Sequence, residues 1–372
     1  MTAAPTASLL LGMLGLVLPV TGILMALTPY LMPKRECFAV TVPDAAVNDP
    51  HLRKLKRVYL AAMLALTALA TTATVAACLI DPQHAALPVF IVGIFALCVI
   101  GYGLMLYFRR RVQAYKRVQG WQAEGARAVG FVGNEPFPRP LSLKWGLLYL
   151  PVIAVTIAIG VVGYGAMPDQ IPMQINLSGG VSRWAEKSPG VVAFPVLFTV
   201  FMAVCFLLSQ WMILRSKKGS DPAAPAASAW AYAMFARAQS IMLVAMGLMI
   251  SFIGPLMELV FVGVLTLEQM IAPIVLIVII VVVASLAVSL IYGQNGSRLI
   301  ARVGQSATMP RDDDRFWKLG IFYVNRDDAS LFLPERFGIG WTINWGRPAV
   351  WALVAGFVLV VAGFVAAAIL FT

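Results

Sequence analysis

Charged residues are scarce in this 372-residue chain: Asp, Glu, Lys and Arg make up 12% of it, against 60% apolar residues. A soluble domain carries about 25% charged and about 45–50% apolar residues, so the deficit rules out a fold solvated by water alone. Histidine is nearly missing, with His51 and His84 in separate loops, which argues against a histidine-based metal site or a His-dependent triad. The four cysteines, Cys37, Cys78, Cys98 and Cys205, follow no metal-ligand or redox spacing and read as packing residues without a disulfide framework. Neither HExxH nor GxSxG occurs, and no carboxylate pair is expected to be buried among the apolar spans. No catalytic residue, cofactor site or metal site is expected.

Long apolar runs are what the chain has. A bilayer core of roughly 30 Å takes about 20 mostly apolar helical residues, because each backbone N–H and C=O must be paired internally. Eight stretches qualify: Ser8–Tyr30, Tyr59–Ile80, Leu87–Phe108, Gly146–Ala166, Val191–Leu214, Ala238–Met257, Ile271–Tyr292 and Ala349–Phe371. The expected fold is an all-α polytopic membrane protein with eight transmembrane helices.

Basic residues are divided unevenly among the connections. The segments after spans one, three, five and seven hold 26 of the 28 Lys and Arg residues, and the opposite side holds only Arg183 and Lys187. By the positive-inside rule the basic loops face the cytoplasm and both termini lie outside it, as in a multi-pass protein of the bacterial cytoplasmic membrane. The net charge of +11 follows from that bias beside anionic lipid, so the bilayer is the expected partner and nucleic acid is not. The leader Met1–Thr6 has no positive charge and Lys34 and Arg35 follow the first span, which reads as an anchor rather than a cleavable signal.

Within the spans ionisable groups are almost absent. Glu258 and Arg237, near the ends of the sixth span, are expected at the interface, and Pro19, Pro151, Pro195 and Pro273 mark expected kinks. The segment KKGSDPAAPAAS, 217–228, reads as a linker. The chain then divides into a three-helix region at 1–145, a two-helix unit at 146–214 with an outer loop at 167–190, a linker and two helices at 215–292, an aromatic and charged element at 293–347, and a last helix at 348–372. Arg109 to Arg127 is expected to form a basic helix along the inner leaflet, each cation near the surface gaining roughly 1 kcal/mol from the lipid. Asp49-Pro50 reads as a turn into a short basic helix.

Two loops carry more information than the helices. In the outer one, MPDQIPMQINLSGGVSRWAEK at 167–187, Pro168 and Pro172 oppose continuous helix and 176–180 supplies turn chemistry. The residues alone describe a shaped re-entry loop with Trp184 in the aromatic belt; its polar groups offer a surface to an external ligand. The combination Pro168, Ile171, Pro172, Asn176, Gly179, Trp184 and Lys187, directly after a span, resembles the domain of unknown function found at the N-terminus of SdpI-type bacteriocin immunity proteins. The resemblance implies an extracytoplasmic recognition role for Pro168, Pro172, Gln174, Asn176, Gly179, Trp184 and Lys187. The family pattern has His at the position of Gln174 and Asp near Ser182, so a titratable or metal-linked role is not carried over.

The inner loop, 311–347, interleaves eight aromatics with Arg and Asp. Ile321–Val324 and Leu331–Leu333 read as two strands of a hairpin turning at Asn325–Asp328, with rings at headgroup depth. Asp312, Asp313, Asp314, Asp327 and Asp328 lack hard-cation loop spacing and are expected to form turns and pair with Arg315, Arg326 and Arg336. Trp317, Lys318, Gly320, Phe322, Tyr323 and Asn325, then Arg336, Phe337, Gly338, Gly340 and Asn344, resemble a C-terminal domain of unknown function of multi-span bacterial membrane proteins. Together these readings imply a non-enzymatic protein of immunity, envelope-stress or signalling type, with a peptide toxin or another membrane protein as partner. The alternatives are a permease for a neutral or lipid-like substrate and an enzyme modifying lipids or wall precursors.

Overall fold

The computed structural model describes residues 3–33, 35–81, 84–123, 137–175, 180–218, 224–299, 309 and 312–371, with backbone only for 3–14 and 175. Its helices are α1 (Ala3–Leu31), α2 (Pro50–Ile80), α3 (Ala86–Val118), α4 (Tyr149–Gly163), α5 (Pro189–Arg215), α6 (Pro225–Ser251), α7 (Ile253–Phe261), α8 (Leu267–Tyr292) and α9 (Pro348–Phe371). Seven helical stretches are long and apolar enough to cross a membrane, and α1 adds the shorter apolar helix Gly15–Leu31. Each of the eight expected spans overlaps one of these stretches, so the protein is an all-α polytopic membrane protein.

Local chemistry sets where the helices begin and end. Asp49 caps α2 by accepting from the amides of His51 and Leu52, with Pro50 in the first turn. The Ser188 hydroxyl accepts from Val191 N at the start of α5, and Thr266 and Gln269 form a capping box on α8. Gly293 ends α8 with φ of 63°, a conformation that glycine adopts without strain.

The helices α1, α2 and α3 pack together, α5 packs on α4, α6, α7 and α9, and α8 lies against α6 and α1. Leu18, Met63, Leu97 and Met105 form the interior of the first group, which ends in Phe38 stacked on Phe108 with Tyr59 edge-on to both. By contrast α8 buries only Ile271 and α9 only Val350, as expected of helices whose remaining faces are solvated by lipid.

Four two-stranded antiparallel hairpins complete the described fold: β1 (Glu36–Cys37) with β2 (Val40–Thr41), β3 (Gln170–Ile175) with β4 (Val181–Glu186), β5 (Trp317–Lys318) with β6 (Phe322–Tyr323), and β7 (Phe332–Pro334) with β8 (Trp341–Ile343). The first, third and fourth gather at one end of the helices, the end that carries most of the basic residues. The second closes the opposite end.

The structure corrects five sequence expectations. The 311–347 loop is two hairpins, Trp317 pairing with Tyr323 and Phe332 with Ile343; 325–328 joins them instead of turning one. The 167–187 loop is a β-hairpin with a bulged register, and its paired Ile171 and Ala185 are buried against the helices. The basic residues after span three continue α3 without a break to Val118, so Arg109 and Lys116 point into the protein. The sixth span begins at Pro225, inside the expected linker, and runs through a break at Phe252 to Phe261. That extension carries Glu258 from its expected interfacial position to complete burial.

Candidate functional site

At the basic end a buried charge cluster ties three distant parts of the chain together. It starts from two strained turns. Phe38 and Ala39, between β1 and β2, both have left-handed backbones, with φ of 49° and 58°, the geometry of a two-residue hairpin turn that usually selects Asn and Gly. Leu319 and Gly320 repeat it between β5 and β6, with φ of 51° and 79°. A non-glycine residue in this region costs about 1–2 kcal/mol, so the surroundings must hold the turns. Arg109 does so: its guanidinium donates to Ala39 O and, at 3.1 Å, to Trp317 O. A Cβ on Gly320 would lie 3.2 Å from Arg109 Cδ and 3.3 Å from Ala39 Cβ, so the glycine lets the turns meet.

Arg336, 4% exposed, is the centre of the cluster. It donates to Asp313 and Asp314, stands 3.5 Å from Glu36, and lies 5.0 Å from the centroid of the Trp317 ring. Lys116 Nζ reaches Asp312 and Asp314 at 2.8 and 2.7 Å, while Thr41 gives Asp314 both its amide and its hydroxyl proton at 3.0 and 2.9 Å. Burial opposes ionisation of Asp314, but Arg336 and Lys116 outweigh it and hold the carboxyl below its ordinary range. Burial pushes Glu36 up to about 8 despite Arg336. Glu36 therefore keeps its proton at neutral pH, and three cations, Arg109, Lys116 and Arg336, face three carboxylates, Asp312, Asp313 and Asp314.

A second network fixes the joint between the two C-terminal hairpins. Asn344, fully buried, donates to the carbonyls of Asn325, Asp328 and Ser330 and accepts from the amides of Asn325 and Gly346. Tyr323 donates to Asp328 at 3.0 Å and accepts from Asn325 Nδ2. Lys217, just after α5, reaches Asp328 at 2.6 Å; burial of Asp328 is outweighed by that bond and the Ser330 amide, and its carboxyl falls to about 2. From the end of α8, Gln294 donates to Glu335 O and Gly340 O and accepts from Gly340 N at 2.9 Å. Gly338 and Gly340, with φ of 121° and 144°, hold the β7–β8 loop in a region closed to other residues.

The second motif is thus assembled as one element: Trp317, Tyr323, Asn325, Arg336, Gly340 and Asn344 all bond within or around it. Lys318 is exposed, and Phe337 meets Tyr59 edge to face at 6.5 Å. Of the expected Asp–Arg pairings, Arg336 takes Asp313 and Asp314. Arg315 lies over the Phe316 ring, and Asp312 and Asp328 pair with lysines instead. Sequence reasoning missed Glu36, Thr41, Arg109, Lys116, Lys217 and Gln294. The one signal for them was a basic residue at i and i+7 on α3, Arg109 and Lys116, which places both on one helix face.

At the opposite end the β3–β4 hairpin sits on the helices through Met167, Ile171 and Ala185, packed with Val191, Val260 and Phe261. Lys187 is structural here: its ammonium donates to Met167 O at 3.0 Å and lies 4.9 Å from the Tyr164 ring centroid, and its amide donates to Asp169 O. Pro172 pairs with Trp184 and Gln174 with Arg183. Pro168, Gln174 and Trp184 are exposed, Trp184 to 52%. Asn176 and Gly179 lie outside the described residues.

Comparison with protein families identifies two stretches. Residues 144–199 match a domain of unknown function, DUF1648, and residues 326–351 match a family of unknown function, DUF5808. The first covers α4, the β3–β4 hairpin and the start of α5. The second covers Asp328, Ser330, Arg336 and Asn344 and begins just after Asn325. No curated protein matches the chain, and no solved structure does.

Proposed function

We propose that the chain is a non-enzymatic protein of the bacterial cytoplasmic membrane, of immunity or envelope-stress type, with the basic end in the cytoplasm and both termini outside. Its β3–β4 hairpin is the outward recognition surface, and its partner is a peptide toxin or another membrane protein. The observation that carries this reading is the match of residues 144–199 to DUF1648 over a unit whose hairpin anchors one face and exposes Gln174 and Trp184 on the other. The orientation rests on the basic bias of the loops. The buried charge cluster supports a structural role for the basic end, since its carboxylates are occupied by cations and Thr41.

The test is protection of a null host against a panel of envelope-active peptides, with the wild type compared to a Gln174→Ala/Trp184→Ala variant of equal abundance. Lys187 is left intact because it holds the base of the hairpin. Protection by the wild type that the variant loses supports the reading. Failure of both to protect overturns it and favours a permease for a neutral or lipid-like substrate.

A further inference from the structure

Glu258 stands apart from both networks. It is fully buried, and neither carboxylate oxygen has a hydrogen-bond partner among the described residues. Its place is a seam between α4, α5 and α7, where Gly160 opens the space it fills: a Cβ there would lie 2.8 Å from Glu258 Oε1 and 2.8 Å from Val192 Cγ1. The seam continues inward as a line of buried hydroxyls, Thr156, Thr199 and Ser251. Thr156 and Thr199 bond their own helices, to Val152 O and Pro195 O, and Ser251 Oγ has no partner. Gly254, one turn before Glu258, lets Thr199 approach: its Cβ would lie 2.0 Å from Thr199 Oγ1.

An ionised carboxylate without a partner is too costly in such a place, so a proton or a cation must balance it. A hard cation takes about six or more oxygen ligands; the seam brings one carboxyl. The charged and titratable groups on the surrounding elements are Tyr149 on α4, Cys205 and Arg215 on α5, Tyr232 and Arg237 on α6, Glu268 and Tyr292 on α8, and Tyr164, Asp169, Arg183, Glu186 and Lys187 around the hairpin, and none of them bonds to Glu258. In membranes an ionisable residue among helices is costly and usually functional.

We propose that Glu258 is a proton-binding site embedded in the membrane, exchanging its proton with water on the side of the β3–β4 hairpin. Release breaks the carboxyl O–H bond, passes the proton to water as hydronium and leaves a carboxylate; uptake reverses the step. Glu258 lies one turn before the end of α7, and Val260 and Phe261 beyond it are covered by Met167 and Ile171. The carboxylate form requires water in the seam, so the proton occupancy of Glu258 is linked to how closely the hairpin seals it. This inference stands independently of the immunity reading.

The experiment is infrared difference spectroscopy of the full chain in lipid nanodiscs at pH 7, wild type against Glu258→Gln. The difference isolates Glu258 from other protonated carboxyls such as Glu36. The expected result is a protonated-carboxyl C=O band that Glu258→Gln loses, that shifts when the buffer is exchanged for deuterium oxide, and that sodium chloride leaves unchanged. Gly160→Ala, which pushes a methyl group against the carboxyl, is expected to shift the band without abolishing it. No wild-type-specific band, or a band that sodium removes, overturns the proposal. So does a band that never shifts in deuterium oxide, since it denies exchange with water.

Discussion

Replacing Arg336 with Met tests whether the basic-end cluster holds the two C-terminal hairpins in place. The guanidinium is 4% exposed and faces Asp313, Asp314 and Glu36. Lys116 still satisfies Asp314 in the variant, whereas Asp313, half-buried beside the buried guanidinium, loses its Arg336 partner. Removing one partner of a buried pair costs about 3–5 kcal/mol, and about 1.4 kcal/mol is a factor of ten. The amides of Val324 and Trp345, which bond to Phe316 O and Tyr323 O across the hairpins, report local opening by hydrogen exchange. Their exchange is expected to speed up by about a hundredfold to a few thousandfold, while amides of α5 hold their rates. Arg336→Lys keeps the charge but not the fork of donors and is expected to fall between the two. An acceleration of less than about tenfold in Arg336→Met would refute the reasoning and mean that the cluster is solvated when it opens.

Four further outcomes follow from the same geometry. Glu36 keeps its proton up to about pH 8 in the native state, against an ordinary value of 4.5, so the folded form binds the extra proton in that window; stability of the basic end falls as pH rises through it, by at most about 1.36 kcal/mol per pH unit. Glu36→Gln is expected to flatten that slope in the same exchange experiment. Asp328, at about 2, acts the other way and loses its contribution only as pH falls below its ordinary 3.8. Asn344→Ala strips five hydrogen bonds from a fully buried joint, and with each orphaned buried group costing about 1–3 kcal/mol the variant is expected to accumulate poorly in membranes, as measured by quantitative immunoblot. Gly296→Ala forces a left-handed φ of 70° and a Cβ 2.2 Å from Ala231 O, whereas Gly356 has nothing within 4 Å; the first is expected to abolish accumulation and Gly356→Ala to leave it unchanged.

The spans were legible because a membrane helix is specified locally: about 20 apolar residues meet the bilayer thickness whatever lies elsewhere in the chain. The uneven basic loops were legible for the same reason, whereas the positive φ angles of Gly320, Gly338 and Gly340 emerged only in the structure. What the 311–347 loop does with its strands was not legible. Short aromatic runs pair equally well in several ways, and the choice of Trp317 with Tyr323 over a hairpin turning at 325–328 came with the bonds of Asn344 across the loop and of Gln294 and Arg109 from outside it.

Tertiary structure alone decided the chemistry. Arg336 meets Glu36 across 300 residues because α1, α3 and the last loop end on the same side of the helices, and a charge finds its partner only where packing removes water and brings it near. Glu258 was read as interfacial because composition places the end of an apolar run at the surface. It is buried because α7 continues past the break at Phe252 and Gly160 leaves room for a carboxyl, and neither fact is local to Glu258.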